Sequence, residues 1–180
     1  MKLLHLKLLA PVTVAMALAA CGASSSSGGA DVAVAPAQPA STLAQDRMAI
    51  EETLRRYVRG LDDADLEGYL ATLTDDARFV AEEGSHEGKV AIRRYVEPVM
   101  KSRAERRARE GVAATATHHV VTNQSIEFID ADNAVVRAYW MYLVAHGTGK
   151  PMTVDLMGSS EDYLTRRDGA WLIRERRVAP

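Results

Sequence analysis

From about residue 42 to 73, and again from 89 to 99, apolar side chains recur at helical intervals, and beyond residue 115 the pattern changes to β-rich segments. Ile50, Leu54, Tyr57, Val58 and Leu61 share one face, with Glu51, Glu52, Arg55, Arg56 and Arg59 opposite, which predicts a first helix from about 43 to 60. Thr42 and Gln45 have the spacing of a capping box at its start. Asp62-Asp63-Ala64-Asp65 interrupts it, and a carboxylate there can cap a second, short helix with Leu66, Tyr69, Leu70 and Leu73 on its buried side. Thr74-Asp75-Asp76 then ends that helix, Ala77 to Val80 reads as a short strand, and Glu82 to Gly88 as a polar turn.

A third helix is expected from Lys89, buried through Ile92, Tyr95, Val96 and Val99 and bent at Pro98. Its extension, residues 101–110, has five basic and two acidic residues and no large apolar side chain. It reads as a solvated helix end, the alternative being a basic contact patch. Four β-rich segments follow, Thr115 to Ile129, Ala134 to His146, Met152 to Thr165 and Ala170 to Val178, separated by Asp130–Asn133, Gly147–Pro151 and Arg167–Gly169. Connections this short make them antiparallel neighbours, and helices followed by a meander predict an α+β domain.

The second of these strands is apolar on both faces. Val136, Ala138, Trp140, Tyr142 and Val144 point one way, and Val135, Tyr139, Met141 and Leu143 the other, with Arg137 the one charge. Helices cover only one face of a sheet, so a second copy of the chain is expected on the back. The alternative is a back that is aromatic and half exposed.

Ahead of the domain, Lys2 and Lys7 precede the uncharged run Leu8 to Ala20. As a helix that run rises about 20 Å, short of a hydrocarbon core roughly 30 Å thick, so residues 1–20 read as a secretory signal. Residues 21–41 are small and rich in Gly, Ser and Pro, with Asp31 the one charge, as in a flexible tether. Residues 42–180 are left for the domain.

Composition narrows the function. Across 180 residues, 22 basic against 24 acidic side chains give a net charge of -2, which argues against a nucleic-acid partner. A single cysteine excludes an internal disulfide and a cysteine-based zinc site. The histidines lack zinc-site spacing, and there is no phosphate loop, nucleophile elbow or dinucleotide fingerprint, so neither a metal nor another cofactor is expected.

Leu18-Ala19-Ala20-Cys21-Gly22 resembles the lipobox of bacterial lipoproteins. That resemblance implies cleavage before Cys21, lipidation of its thiol, and a membrane anchor in the bacterial envelope, with Gly22 favouring the periplasmic side of the outer membrane. The domain resembles the SnoaL-like domains of the nuclear transport factor 2-like superfamily. The stretches that carry the resemblance are Arg56 to Asp65, Thr74 to Ala77, Gly88 to Ile92, Thr117 to Asn123 and Asp168 to Arg176, in family order. It implies a cone-shaped fold, with a curled antiparallel sheet on three N-terminal helices.

By the same resemblance Asp62 and His119 match an aspartate and a histidine that move protons together in dehydratase relatives. Leu61 departs from the tyrosine such relatives often place before the aspartate, and a second catalytic histidine would fall near Ala145, one position before His146. An imidazole beside a carboxylate suits proton transfer near neutral pH. Asn123 shares the face of His119 if the strand is regular, although the shift of apolar positions to Ile126 and Phe128 hints at a bulge. Tyr57, Tyr142 and His146 are candidate substrate contacts; Tyr57 and Tyr142 fit core positions as well. His118, alternating with His119, is expected at the surface or in an interface, and Trp171 in the core.

Three readings stay open at this point. One is an enzyme that dehydrates, isomerises or cyclises a small apolar molecule of polyketide, steroid or aromatic type. The others are an envelope module that binds such a molecule without chemistry, and a structural dimer subunit.

Overall fold

A computed structural model describes residues 40–180. The expected signal, Cys21 and all but the last two tether residues lie outside the described residues. The elements run α1 (Ala40–Asp63), α2 (Leu66–Leu70), β1 (Leu73–Ala81), β2 (Gly84–Glu87), α3 (Gly88–Glu110), α4 (Val112–Thr115), β3 (Thr117–Phe128), β4 (Asn133–Val144), β5 (Thr153–Arg167) and β6 (Ala170–Ala179). The strands form one six-stranded sheet in the order β2-β1-β6-β5-β4-β3. It is curled and unclosed, and the helices pack on its inner face. No helix among the described residues is long and apolar enough to cross a membrane.

Most expected elements are present, and the departures have local causes. Helix α1 starts at Ala40, so Thr42 sits inside the first turn instead of capping it. Ala64 takes a positive φ of 57° to turn the chain, and Asp65 caps α2, its Oδ1 accepting from the Gly68 N–H at 3.0 Å. Leu73 belongs to β1 and not to α2, and Thr74-Asp75-Asp76 continues that strand. The polar segment after it is a hairpin strand, with Phe79 opposite His86. β1 also runs parallel to β6, so the sheet is not wholly antiparallel. Helix α3 passes through Pro98 unbroken; its buried residues are Ile92, Val96 and Met100, while Val99 is exposed.

The core lies where α1, α2 and α3 meet the closed half of the sheet. Ile50, Leu54 and Tyr57 of α1 pack with Ile92 and Val96 of α3 against Val136, Leu164, Trp171 and Ile173. Each such side chain contributes roughly 1.5–3 kcal/mol on burial. Gly60 is needed where the helices cross, because a Cβ there would lie 2.8 Å from Tyr69. The hairpin between β5 and β6 turns on Asp168 and Gly169, both at positive φ, as a two-residue loop of this kind requires.

On the back of the sheet the expected apolar stripe is partly charged over. Arg137 bridges Glu127 and Glu161 at 2.8 Å each. Val135 is buried, whereas Tyr139 is 59% and Met157 62% exposed.

One buried polar knot joins α1 to the sheet. Asp46 accepts from Arg166 Nη2 at 2.6 Å and from the Trp171 indole N–H at 3.1 Å, and the Arg166 guanidinium lies 4.8 Å from the Trp171 ring. Burial opposes ionisation of Asp46, but these two donors and the Arg166 charge outweigh it and hold the carboxyl below its usual range. A depressed carboxylate contributes stability above its unfolded pKa and loses it as the pH falls through the folded one. Asp46→Asn should therefore cost about 2 kcal/mol at neutral pH. It should also flatten the loss of stability below about pH 4, the ordinary aspartate range. Urea unfolding across pH measures both, and equal acid limbs in the two proteins would refute the assignment.

Candidate functional site

Asp62 lies in the last turn of α1, and His119 near the start of β3, one of the two edge strands of the sheet. An edge strand leaves backbone N–H groups without ladder partners. The Asp62 carboxylate takes the one at His119, accepting it at 2.9 Å and 3.2 Å, and its Oδ1 also lies 2.6 Å from His119 Nδ1. A carboxylate only accepts, so Nδ1 carries the hydrogen, and in the neutral imidazole Nε2 keeps its lone pair. Nε2 has no partner among the described residues. Both side chains are mostly buried, at 19% and 16% exposure.

His119 forms part of the wall of two adjoining hollows, of about 260 Å³ and 240 Å³. In the larger one it faces Tyr57, Val58 and Leu61 of α1, Phe79 of β1, and Trp140 and Tyr142 of β4. The smaller one is more polar and adds Glu51, Arg55 and Gln124. The Tyr142 ring lies 4.8 Å from that of His119. Tyr57 is buried with its hydroxyl 3.3 Å from that of Tyr69, and burial pushes both phenols above their usual range, so they remain protonated donors at neutral pH.

Arg176 of β6 lines both hollows. Its Nη1 donates to both oxygens of Asp162, at 2.6 Å and 2.7 Å, directly across from β5. Burial pushes the Asp162 carboxyl up, while the facing guanidinium counters it; burial likewise weighs on Arg176, and Asp162 more than offsets it. Arg176 keeps its charge, because arginine does not give up its proton in proteins, and that charge favours the carboxylate form of Asp162 against burial. The guanidinium also sits 4.7 Å from the Tyr57 ring.

The structure thus gathers Asp62, His119, Tyr57 and Tyr142, and parts them from two other candidates. Asn123 has φ 53°, within a break in the β3–β4 register between Thr122 and Ser125. This bulge shifts the face parity, so Asn123 turns to the back of the sheet and Gln124 lines the hollow in its place. His146 is exposed beyond the end of β4, 2.7 Å from Thr153 Oγ1, and lies on neither hollow. His118 is exposed and Trp171 buried, as expected.

Arg176 and Asp162 were not among the predicted site residues. A regular strand would put Arg176 on the face opposite Trp171 and Ile173, but a register shift between Tyr163 and Leu164 carries it inward. Arg103 and Arg107, expected in a solvated helix end, instead reach α1. Arg103 Nη1 donates to the Leu61 carbonyl at 3.2 Å, and Arg107 to those of Asp62 at 2.8 Å and Asp63 at 3.4 Å. Among the described residues no three of His, Cys, Asp and Glu come together.

Residues 42–177 match the family described as SnoaL-like domain. The curated proteins hold no match. Among solved structures the chain is similar to a candidate scytalone dehydratase from Novosphingobium aromaticivorans, with TM-score 0.61 and 22% identity over 77% of this chain and 85% of that one. ActVI-ORFA of Streptomyces coelicolor gives TM-score 0.61 and 19% identity over 75% and 96%. A protein with a cystatin-like fold from Novosphingobium aromaticivorans, described as NTF2-like, gives 0.61 and 17% over 76% and 82%. At these identities the likeness is one of fold.

The buried pair makes a sharp energetic prediction. Arg176→Met or Asp162→Leu alone strands a buried charge and should cost about 3–5 kcal/mol, whereas the double replacement should recover most of that loss. Urea denaturation of the three variants measures it. Additive losses would mean that the two side chains do not act as a pair.

Proposed function

The chain belongs to the SnoaL-like domain family, and from that premise we infer that it is a cofactor-independent acid–base enzyme which dehydrates or isomerises a small, largely apolar molecule. The observation that supports this most is the 2.6 Å contact between Asp62 and His119 Nδ1 at the wall of the hollow, with Nε2 free to exchange a proton. In this reading Nε2 removes a proton from a carbon next to a carbonyl. Asp62 stabilises the imidazolium that results, and Nε2 returns the proton to a leaving hydroxyl or to another carbon. The Tyr57 hydroxyl and the remaining donors of Arg176 supply hydrogen bonds to the substrate oxygen as charge builds there. One structural neighbour, described as a candidate scytalone dehydratase, is in line with this chemistry. We propose further that Cys21 anchors the domain in the bacterial envelope, and that the exposed Tyr139 and Met157 on the back of the sheet seat a second copy.

The substrate can be sought as a small molecule that copurifies with the domain, identified by mass spectrometry and then followed for isomerisation or loss of water. His119→Ala and Asp62→Asn should each slow that conversion by about 10²–10⁴-fold with the fold intact by circular dichroism. Binding that persists in both variants with no conversion even in the parent would select the non-catalytic binding module.

Cys21→Ser should move the protein from the membrane fraction to the soluble one. The released protein should sediment as a dimer, and Tyr139→Arg should return it to a monomer. A variant still pelleting with membranes removes the anchor, and a monomeric parent removes the second copy.

A further inference from the structure

Taking the hollow as the ligand site, we propose that its ligand carries an anionic oxygen, a carboxylate or phenolate, and that Arg103 of α3 recognises it. Arg103 lines the larger hollow. Its one hydrogen bond among the described residues is the 3.2 Å contact from Nη1 to the Leu61 carbonyl, and its Cζ lies 5.0 Å from the centre of the Tyr142 ring. A guanidinium has five donors, so most of its capacity is unspent. The carbonyl and the ring fix its position without neutralising its charge, since neither carries a formal negative charge.

The other cations at the site differ. Arg176 is neutralised by Asp162, Arg55 of the smaller hollow pairs with Glu52, and Arg107, which donates to the α1 carbonyls, lines neither hollow. Arg103 forms no ion pair among the described residues, and Phe79, Trp140, Leu156 and Val178 make the wall around it apolar. An unpaired guanidinium beside such a wall calls for an anion at one end of an apolar ligand, and its planar fork suits a two-oxygen acceptor. Trp140 and Tyr142 supply the flat surfaces for an aromatic body. The Tyr142 ring is the shared neighbour of Arg103 and His119, so a ligand held by its acid group places its adjoining carbons toward Nε2.

The probes are naphthoate and its neutral isostere naphthamide, titrated calorimetrically into the Cys21→Ser protein. The parent should bind the acid about tenfold or more tighter than the amide, the worth of one charge-assisted contact. Arg103→Gln should bring the two within about twofold of each other, while Arg103→Lys should keep a reduced preference. Arg106→Gln, which removes a charge from the same helix away from the hollow, should behave as the parent. In the parent the Arg103 Nε–H resonance should shift with naphthoate and not with naphthamide, a readout that does not depend on any variant folding. Equal affinity for the two probes, a preference that survives in Arg103→Gln, or an unmoved resonance overturns the anion while leaving an apolar ligand site in place. If neither probe binds, the hollow as a ligand site falls with it.

Discussion

The Asp62 carboxylate ties the end of a helix to the open edge of a sheet, and the geometry of the site depends on that tie. It accepts the His119 backbone N–H and contacts the same residue's ring. Fixing only the ring would leave the strand free to slide, and fixing only the strand would leave χ1 and χ2 free to rotate. Holding both lets one residue set the position and the tautomer of the imidazole. The arrangement is possible because β3 is an edge strand; an interior strand would have spent that N–H on its ladder.

An aspartate in this place has an electrostatic cost. The last turn of a helix carries partial negative charge, and α1 has no basic residue there while holding both Asp62 and Asp63. The compensation comes from α3, whose Arg103 and Arg107 donate to the carbonyls of Leu61, Asp62 and Asp63. Two distant segments thus share one electrostatic problem. The basic helix extension serves the end of α1, and Arg103 does so with one donor while it lines the larger hollow.

The legible and hidden parts of the sequence divide along strand regularity. Helical spacing located α1 and α3 to within a few residues, and the Asp168–Gly169 turn, with both residues at positive φ, marked the last hairpin. Asp62 and His119 could be paired through the ordered motifs, although they stand far apart in the chain. What periodicity could not reveal is where the face parity changes. The bulge at Asn123 exchanges it for Gln124, and the shift on β6 turns Arg176 inward. Both are tertiary choices, made where a long strand must curl around the helices. The helix extension misled for a related reason: its arginines look solvated until the chain end they cap is placed beside them.

The same shifts give the hollow its chemical character. A regular β6 would continue the Trp171–Ile173 face with Glu175 and place a second acid beside Asp162. Displacing that acid for Arg176 neutralises Asp162 and sets a cation under the Tyr57 ring. A hollow containing stacked carboxylates would repel the negative charge that develops on a carbonyl oxygen during proton abstraction. With a paired arginine, the protonated Tyr57 phenol and one imidazole, the hollow holds donors where such charge would gather and a single base to begin the transfer. Curling the sheet therefore does more than enclose a volume, because each bulge that bends a strand also selects which charge faces inward.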